Sequence, residues 1–313
     1  MNAGQRVFSP APDAVLDPAS GRPRFGSYVG AVPRIDLGEL SALNRIARQK
    51  RWVYVAVAAE DAFVALAIVR FGYAATVFGY ALDAGTMRML GTRSHIAPPS
   101  ACSVGDGMGE GVLASYAFAG NAARVERSPG TTSYAVAADL GSFKLHARFE
   151  ADQAPPAITA IAPIGSGRDG LVNTTEKRAL LSVTGELEVD GRRRPLAGAL
   201  GGYDYTHGLL ARRTAWRWAF GLGRAKTGER VGFNLVQGFV GEPECAAWVD
   251  GEVFPLREGR FAFDPENPLS EWRVSTTDGA ADLKFLPGGM HAEQKNLGVV
   301  ASRFVQPVGV YSG

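Results

Sequence analysis

Residues 52–82 read WVYVAVAAEDAFVALAIVRFGYAATVFGYAL, and the class of fold turns on how this run is broken up. A membrane span needs roughly 18 uninterrupted apolar residues. Glu60, Asp61, Arg70, Gly72 and Gly79 interrupt the run sooner than that. The pieces RWVYVAVAA, AFVALAIVRF, AATVFGYALD and the following TMRML are 5 to 10 residues long, with ED, FG and DAG between them. Short β-branched and aromatic runs separated by turn residues predict strands. A sheet with one wet face alternates apolar with polar positions, whereas WVYVAVAA is apolar throughout. Both of its faces must therefore be covered, either by another layer of core or by a cavity holding something greasy.

The same texture extends outward. GVLASYAFAG, AARVERSP, TTSYAVAADL and FKLHARFEA each fit a strand, APPAITAIAPIG reads as a crossover, and strand patterns resume from RALLSVTGELEVDGRRRPL to the end. VDGR, VDGE and TDGA carry Asp-Gly, which supplies the positive φ of a tight hairpin. Helical spacing shows only at LGELSALNRIARQK, through Leu40, Leu43 and Ile46. Residues 1–26, rich in Pro, Gly, Ala and Ser, predict an irregular surface arm. The expectation is an all-β protein of two antiparallel barrel or sandwich halves, residues 27–160 and 161–313.

Composition narrows the functions. At 46% hydrophobic and 20% charged, the chain can bury a large core, which excludes disorder. A net charge of +2 gives no reason to expect nucleic acid or an anionic membrane as partner. Cys102 and Cys245 match no metal spacing; free buried thiols in a reducing cytoplasm are expected, with pairing as the alternative. No basic-then-apolar leader opens the sequence, so a soluble, cytoplasmic protein is expected.

The densest chemistry lies in GGYDYTHGLLARRTAWRWAFG, residues 201–221. An extended YDYTHG places Tyr203, Tyr205 and His207 on one face, with Asp204 and Thr206 on the other. His207 titrates near neutrality and is the candidate proton carrier, with Asp204 and Tyr205 as further catalytic candidates. The structural alternative is a polar knot, in which Asp204 accepts backbone N–H groups and a tyrosine hydroxyl finds a carbonyl. AWRWAFGLG and VGFNLVQGFV then form a hairpin across RAKTGE. Matching bulky face to bulky face sets Arg217 near Val236 and Ala219 near Asn234. Arg217 and Asn234 would then share a floor of small residues, backed by a wall of Trp216, Trp218 and Phe220. Gln237 would lie on the bulky face. The plain alternative makes Arg217 a solvated surface residue.

In MHAEQKNLG a strand would align His291, Glu293 and Lys295, as a relay or as a solvated edge. GDGMGEG (105–111) lacks GK[ST] and reads as a turn. No HxH or HxxxH pair and no GxSxG occurs, so no metal site and no serine hydrolase is expected.

DYTHG, AWRWAFG, GFNLVQGF, WVDGE and NLGVVASRFVQPVG occur in one order that resembles the bacterial domain-of-unknown-function 2804 family. More distantly the pattern is similar to tandem lipocalin-like (calycin) proteins: carotenoid 1,2-hydratase, tocopherol cyclase and fungal Diels–Alderases. That resemblance implies two lipocalin-like halves around a hydrophobic ligand, a terpenoid, polyene or aromatic. It implies hydration, isomerisation or cyclisation without a cofactor, or else a non-catalytic lipid or pigment carrier. Arg217, Asn234, Trp216, Trp218, Gln237, His291 and Glu293 are the candidate ligand contacts. The family is expected to continue past QPVGVYSG with a final hairpin, so the second half would lack its last strands.

Overall fold

The computed structural model describes residues 7–38, 41–164, 172–211, 214–296 and 301–313. Strands β1 (Ser9–Pro10) and β2 (Gly26–Val29) lie in the N-terminal segment, before helix α1 (Ala42–Ala47). Four long strands follow: β3 (Gln49–Ala58), β4 (Ala62–Phe71), β5 (Ala75–Asp83) and β6 (Arg88–Ala97). Next come β7 (Cys102–Val104), β8 (Gly111–Phe118), β9 (Asn121–Arg127), β10 (Ser133–Asp139) and β11 (Phe143–Glu150). Strands β12 (Ile158–Pro163), β13 (Val172–Val189), β14 (Arg192–Pro195) and β15 (Ala199–Leu209) complete the first sheet. A second sheet holds β16 (Arg217–Arg224), β17 (Arg230–Gln237), β18 (Ala246–Val249) and β19 (Glu252–Pro255). A third holds β20 (Gly259–Ala262), β21 (Trp272–Thr276), β22 (Asp282–Asn296) and β23 (Ala301–Ser312).

The main path of the first sheet runs β6-β5-β4-β3-β15-β13-β11-β10-β9-β8-β7 and curls into a nearly closed antiparallel barrel. Cys102 on β7 reaches the Val69 carbonyl of β4, 3.9 Å away, so the sheet's last strand comes back against an early one. Closure hides backbone edges that would otherwise pair with other chains. The boundary expected near residue 160 falls inside this sheet. β15 pairs with β3 on one side and β13 on the other, bridging the first strands to β11. Residues 27–160 lack the two strands that fill this gap. The APPAITAIAPIG crossover is itself strand β12, paired with β13 and β2.

The two-sided apolar strands face two cores. Inside the barrel, Val53, Val55, Val57, Val64, Leu66 and Ile68 pack with Phe143, Leu145 and Phe149. On the outer face, Tyr54, Ala56, Ala65, Ala67, Phe78 and Tyr80 are covered by Trp218, Phe220, Phe304 and Val308. Side chains thus fill both faces of β3–β5. At a bulge in β13, Leu180 adopts φ 63°, and both Ala179 and Leu180 join the outer core against buried Trp248.

Two local expectations need correction. The segment expected as a surface arm carries β1 and fully buried Val15, which joins the barrel core, and β2 begins at its last residue. On α1, capped by the Ser41 hydroxyl, Leu43 and Ile46 are 79% and 53% exposed, so that stripe points outward. The Asp-Gly hairpins are present: Asp190 and Gly191 turn β13 into β14 with φ 49° and 77°. Cys102 and Cys245 are buried thiols, joined in no disulfide among the described residues. Among the described residues, no helix is long and apolar enough to cross a membrane.

The β16–β17 register is one residue away from the expected one. Arg217 pairs with Gln237, Trp218 with Val236, Ala219 with Leu235 and Phe220 with Asn234. The bulky face of β16 lies beside the small face of β17, and together they cover the barrel wall. Large beside small interdigitates, whereas bulk beside bulk would leave the opposite face empty. Gly221 shows the fit, because a Cβ there would come 2.3 Å from the Phe233 ring.

Candidate functional site

The register change separates the proposed pair. Arg217 lies at the exposed edge, donates to Gln237 Oε1 (3.1 Å) and sits over the Phe263 ring. Trp216 beside it is 40% exposed and stacks on Phe239. Asn234 is fully buried on the other face, so Arg217 and Asn234 line no common hollow.

Asn234 belongs to a buried polar cluster between the barrel and the second sheet. It accepts from Trp218 Nε1 (2.6 Å) and donates to the Glu244 carbonyl (2.7 Å). Lys177 of β13 lies 2.9 Å from Asp204 and 3.2 Å from Glu244, with its ammonium over the Trp218 ring. Burial opposes the Lys177 charge, yet the two carboxylates hold its pKa above the ordinary lysine value. Asp204 also accepts from Thr175 (3.1 Å) and Thr206 (3.4 Å). Its donors are side chains, where the polar-knot alternative expected backbone.

Farther along the same junction, His291 bonds Thr92 Oγ1 at 2.7 Å and stacks on Phe78 and Tyr80. Its Nε2 lies 3.5 Å from Glu293 Oε1. The Lys295 side chain, expected on the same face, lies outside the described residues. Tyr80 and Tyr54 share a hydrogen bond of 2.8 Å, and Gln306 donates to Tyr54. Burial pushes the Tyr54 hydroxyl up to about 12, so both phenols stay protonated at neutral pH.

Tyr203, Tyr205 and His207 do share one face, and it points into the barrel. Tyr203 donates to Glu176 (2.5 Å), whose carboxyl burial raises to about 7. A raised carboxyl favours folding fully below pH 4.5, and that contribution fades as pH rises through 7. Relative to Glu176→Gln, the wild type should lose about 3 kcal/mol of stability between pH 4.5 and 8. Urea unfolding at several pH values measures it, and parallel curves would contradict the buried acid.

At the barrel mouth, Tyr205 OH donates to the Gly105 carbonyl (2.8 Å), the bond the polar-knot alternative expected of a tyrosine. His207, 2% exposed, meets Gln49 Nε2 at 2.9 Å through its own Nε2. Its Nδ1 has no hydrogen-bond partner among the described residues and lies 3.7 Å from Asp106 Oδ1. Arg51 reaches the same Asp106 oxygen at 2.7 Å and the Val104 carbonyl at 3.0 Å. Burial, aided by the Arg51 charge, lowers the His207 pKa to about 3, so the ring is neutral. A cavity of about 310 Å³ opens here, lined by Arg34, Arg45, Arg51, Arg70, Asp106 and His207 among others.

Gln49, Arg51 and Asp106 were not singled out in the sequence. Arg51 carried a signal: it shares the inward face of β3 with Val53, Val55 and Val57, where a charge needs a purpose. Asp106 sits in GDGMGEG, which is indeed a turn between β7 and β8, and the turn delivers this carboxylate to His207. No cluster of three or more His, Cys, Asp or Glu suited to a metal occurs among the described residues.

A nearly closed antiparallel barrel, extended by further sheets packed on its outer wall, defines a lipocalin-like all-β protein. The chain belongs to the family described as domain of unknown function (DUF2804), which matches residues 10–313. No curated protein matches the sequence. Among solved structures, the chain is similar to kievitone hydratase from Nectria haematococca, with a TM-score of 0.52 and 13% identity, covering 87% of this chain and 91% of that one. It is also similar to a Nitrosomonas europaea protein provisionally named ATTH (TM-score 0.48, 12% identity, covering 84% and 90%). At these identities the likeness is one of fold.

Proposed function

We propose that the protein is an enzyme that exchanges a proton with a small, partly hydrophobic molecule at the barrel mouth. The reaction class is hydration, isomerisation or cyclisation run by the chain's own side chains. One observation carries this: a buried, neutral His207 lines a cavity with its Nδ1 unpartnered among the described residues.

The parts have distinct tasks. Gln49 offers either N–H or carbonyl oxygen to His207 Nε2, so each imidazole tautomer has a partner. Nδ1 then acts as donor or acceptor at the cavity, and Asp106 favours the state with hydrogen on Nδ1. A water or substrate oxygen beside Nδ1 and Asp106 would be polarised by both. Arg51 and Arg70 stand where negative charge developing on a substrate oxygen would be stabilised. That a hydratase shares the fold is compatible with such a reaction.

Among the described residues, the barrel interior where a terpenoid or polyene was expected to sit holds a continuous cluster of apolar side chains, including Val53, Leu66, Phe143 and Phe149. The His207 pKa near 3 favours a second reading, a carrier in which His207 only donates a hydrogen bond, because so weak a base is slow. Native mass spectrometry after gentle purification would identify a co-purifying molecule for both tests. In the enzyme, His207→Ala should reduce its turnover at least about 100-fold. No turnover in the wild type, with affinity changed only a few-fold in His207→Ala, would establish the carrier.

A further inference from the structure

We infer that the ligand of the barrel mouth is an organic anion: a carboxylate or phosphate head held by arginines, with an apolar body lying along Ile46 and Phe71. This rests on the barrel mouth being the functional site and adds the chemical class of what enters it.

Charge comes first. Among the described residues the cavity wall carries Arg34, Arg51 and Arg70, with Arg45 engaged in contacts of its own, against two carboxylates, Asp36 and Asp106. Asp106 is committed to Arg51. Neither Arg34 nor Arg70 has a carboxylate within salt-bridge distance among the described residues. Arg70 makes one long bond there, 3.5 Å from Nε to the Pro99 carbonyl. The buried Arg51 Nε has no hydrogen-bond partner among the described residues, and neither does His207 Nδ1. Buried polar atoms are normally satisfied, and these two nitrogens belong to residues that line one cavity; Arg51 Nε is a donor, and so is His207 Nδ1 in the tautomer that carries hydrogen there. Guanidinium forks pair with the two oxygens of a carboxylate or phosphate, and a neutral ligand would leave Arg34 and Arg70 without a counter-charge among the described residues.

Shape comes second. A further cavity of about 200 Å³ shares Arg45, Gln49, Arg51 and Arg70 with the first and adds Ile46, Phe71 and Gly72. Gly72 makes this annex possible, because a Cβ there would lie 2.4 Å from the Ile46 Cα and push α1 away. Ile46, which lines the annex, and Leu43, three residues before it on that helix, both leave apolar surface exposed. A head among arginines and a body on an aromatic and aliphatic wall is the complement of an amphipathic anion.

Calorimetry on the full chain tests this with three probes: 4-phenylbutyrate, phenyl phosphate and uncharged 4-phenylbutanol. At least one of the two anions should bind ten-fold or more tighter than the alcohol, and which one does identifies the head group. Arg70→Gln should weaken that anion at least five-fold and leave the alcohol unchanged. Arg34→Gln, at an exposed position outside the strands, provides a second variant should Arg70→Gln misfold. Equal binding of alcohol and anions, anion affinity indifferent to both variants, or no binding of any probe at millimolar concentration would each overturn the inference. Its failure is separable from that of the proposed function. A neutral co-purifying molecule with His207-dependent turnover would keep the enzyme and remove the anion. Arginine-dependent anion binding without such turnover would do the reverse.

Discussion

Lys177→Met should destabilise the protein by about 3–5 kcal/mol in urea unfolding at pH 7, the range for breaking a buried ion pair from one side. The ammonium side chain is 3% exposed, and its partners Asp204 and Glu244 are 11% and 5% exposed. Removing the cation leaves two carboxylates facing each other in a poorly solvated place, with Thr175 and Thr206 still donating to Asp204. The same change removes the cation above the Trp218 ring, so the near-ultraviolet dichroism should change with the stability. Adding Asp204→Asn and Glu244→Gln should recover a large part of the loss, since neutral partners no longer need the charge. A loss under about 1 kcal/mol would mean that water reaches the cluster and screens it. Because Lys177 and Asp204 belong to the barrel sheet while Glu244 lies between β17 and β18, this triad ties the second sheet to the barrel wall.

Acid should unfold the wild type more readily than His207→Gln. The folded imidazole takes up its proton only near pH 3, the unfolded one near 6.5. Between these values the unfolded chain binds more protons, so each step down in pH favours unfolding. The contribution of the neutral ring is complete above pH 6.5 and lost as pH falls towards 3. Its full span is about 5 kcal/mol, from 3.5 pH units at about 1.4 kcal/mol each. The difference in unfolding free energy between wild type and variant, followed from pH 7 to pH 4, measures it. A constant difference would show that the ring is already solvated in the folded protein. A bound anion beside Arg51 would offset the charge that helps to keep the ring neutral, so saturating ligand should make the acid loss shallower.

The succession of strands along the chain and the Asp-Gly hairpins were legible because they depend on neighbours in the chain. The alternation that places Tyr203, Tyr205 and His207 on one face follows from backbone pleating, and the Asp-Gly turns from the positive φ they supply. The β16–β17 register was not legible from side-chain size within the pair. What selects it is the barrel wall beneath, which receives Trp218, Phe220 and Leu222. The candidate site was half legible for a similar reason. His207 stood out as a titratable group among apolar residues, whereas its neighbour Asp106 lies 101 positions earlier, in a glycine-rich turn whose composition announces only a turn. Glu244 lies 67 positions beyond Lys177 and is equally invisible as its partner.

Composition and periodicity alone sufficed for an all-β chain with strands buried on both faces, because such patterns reflect how far each residue must be from water. Tertiary packing decided which residues meet. It drew β13 and β15 into the barrel, sent Arg217 to an exposed edge, sealed Asp204 against Lys177, and left His207 beside Asp106 on a cavity lined by arginines. Pair distances across a sheet are set by closure and by the layer packed behind it, and those are properties of the whole fold.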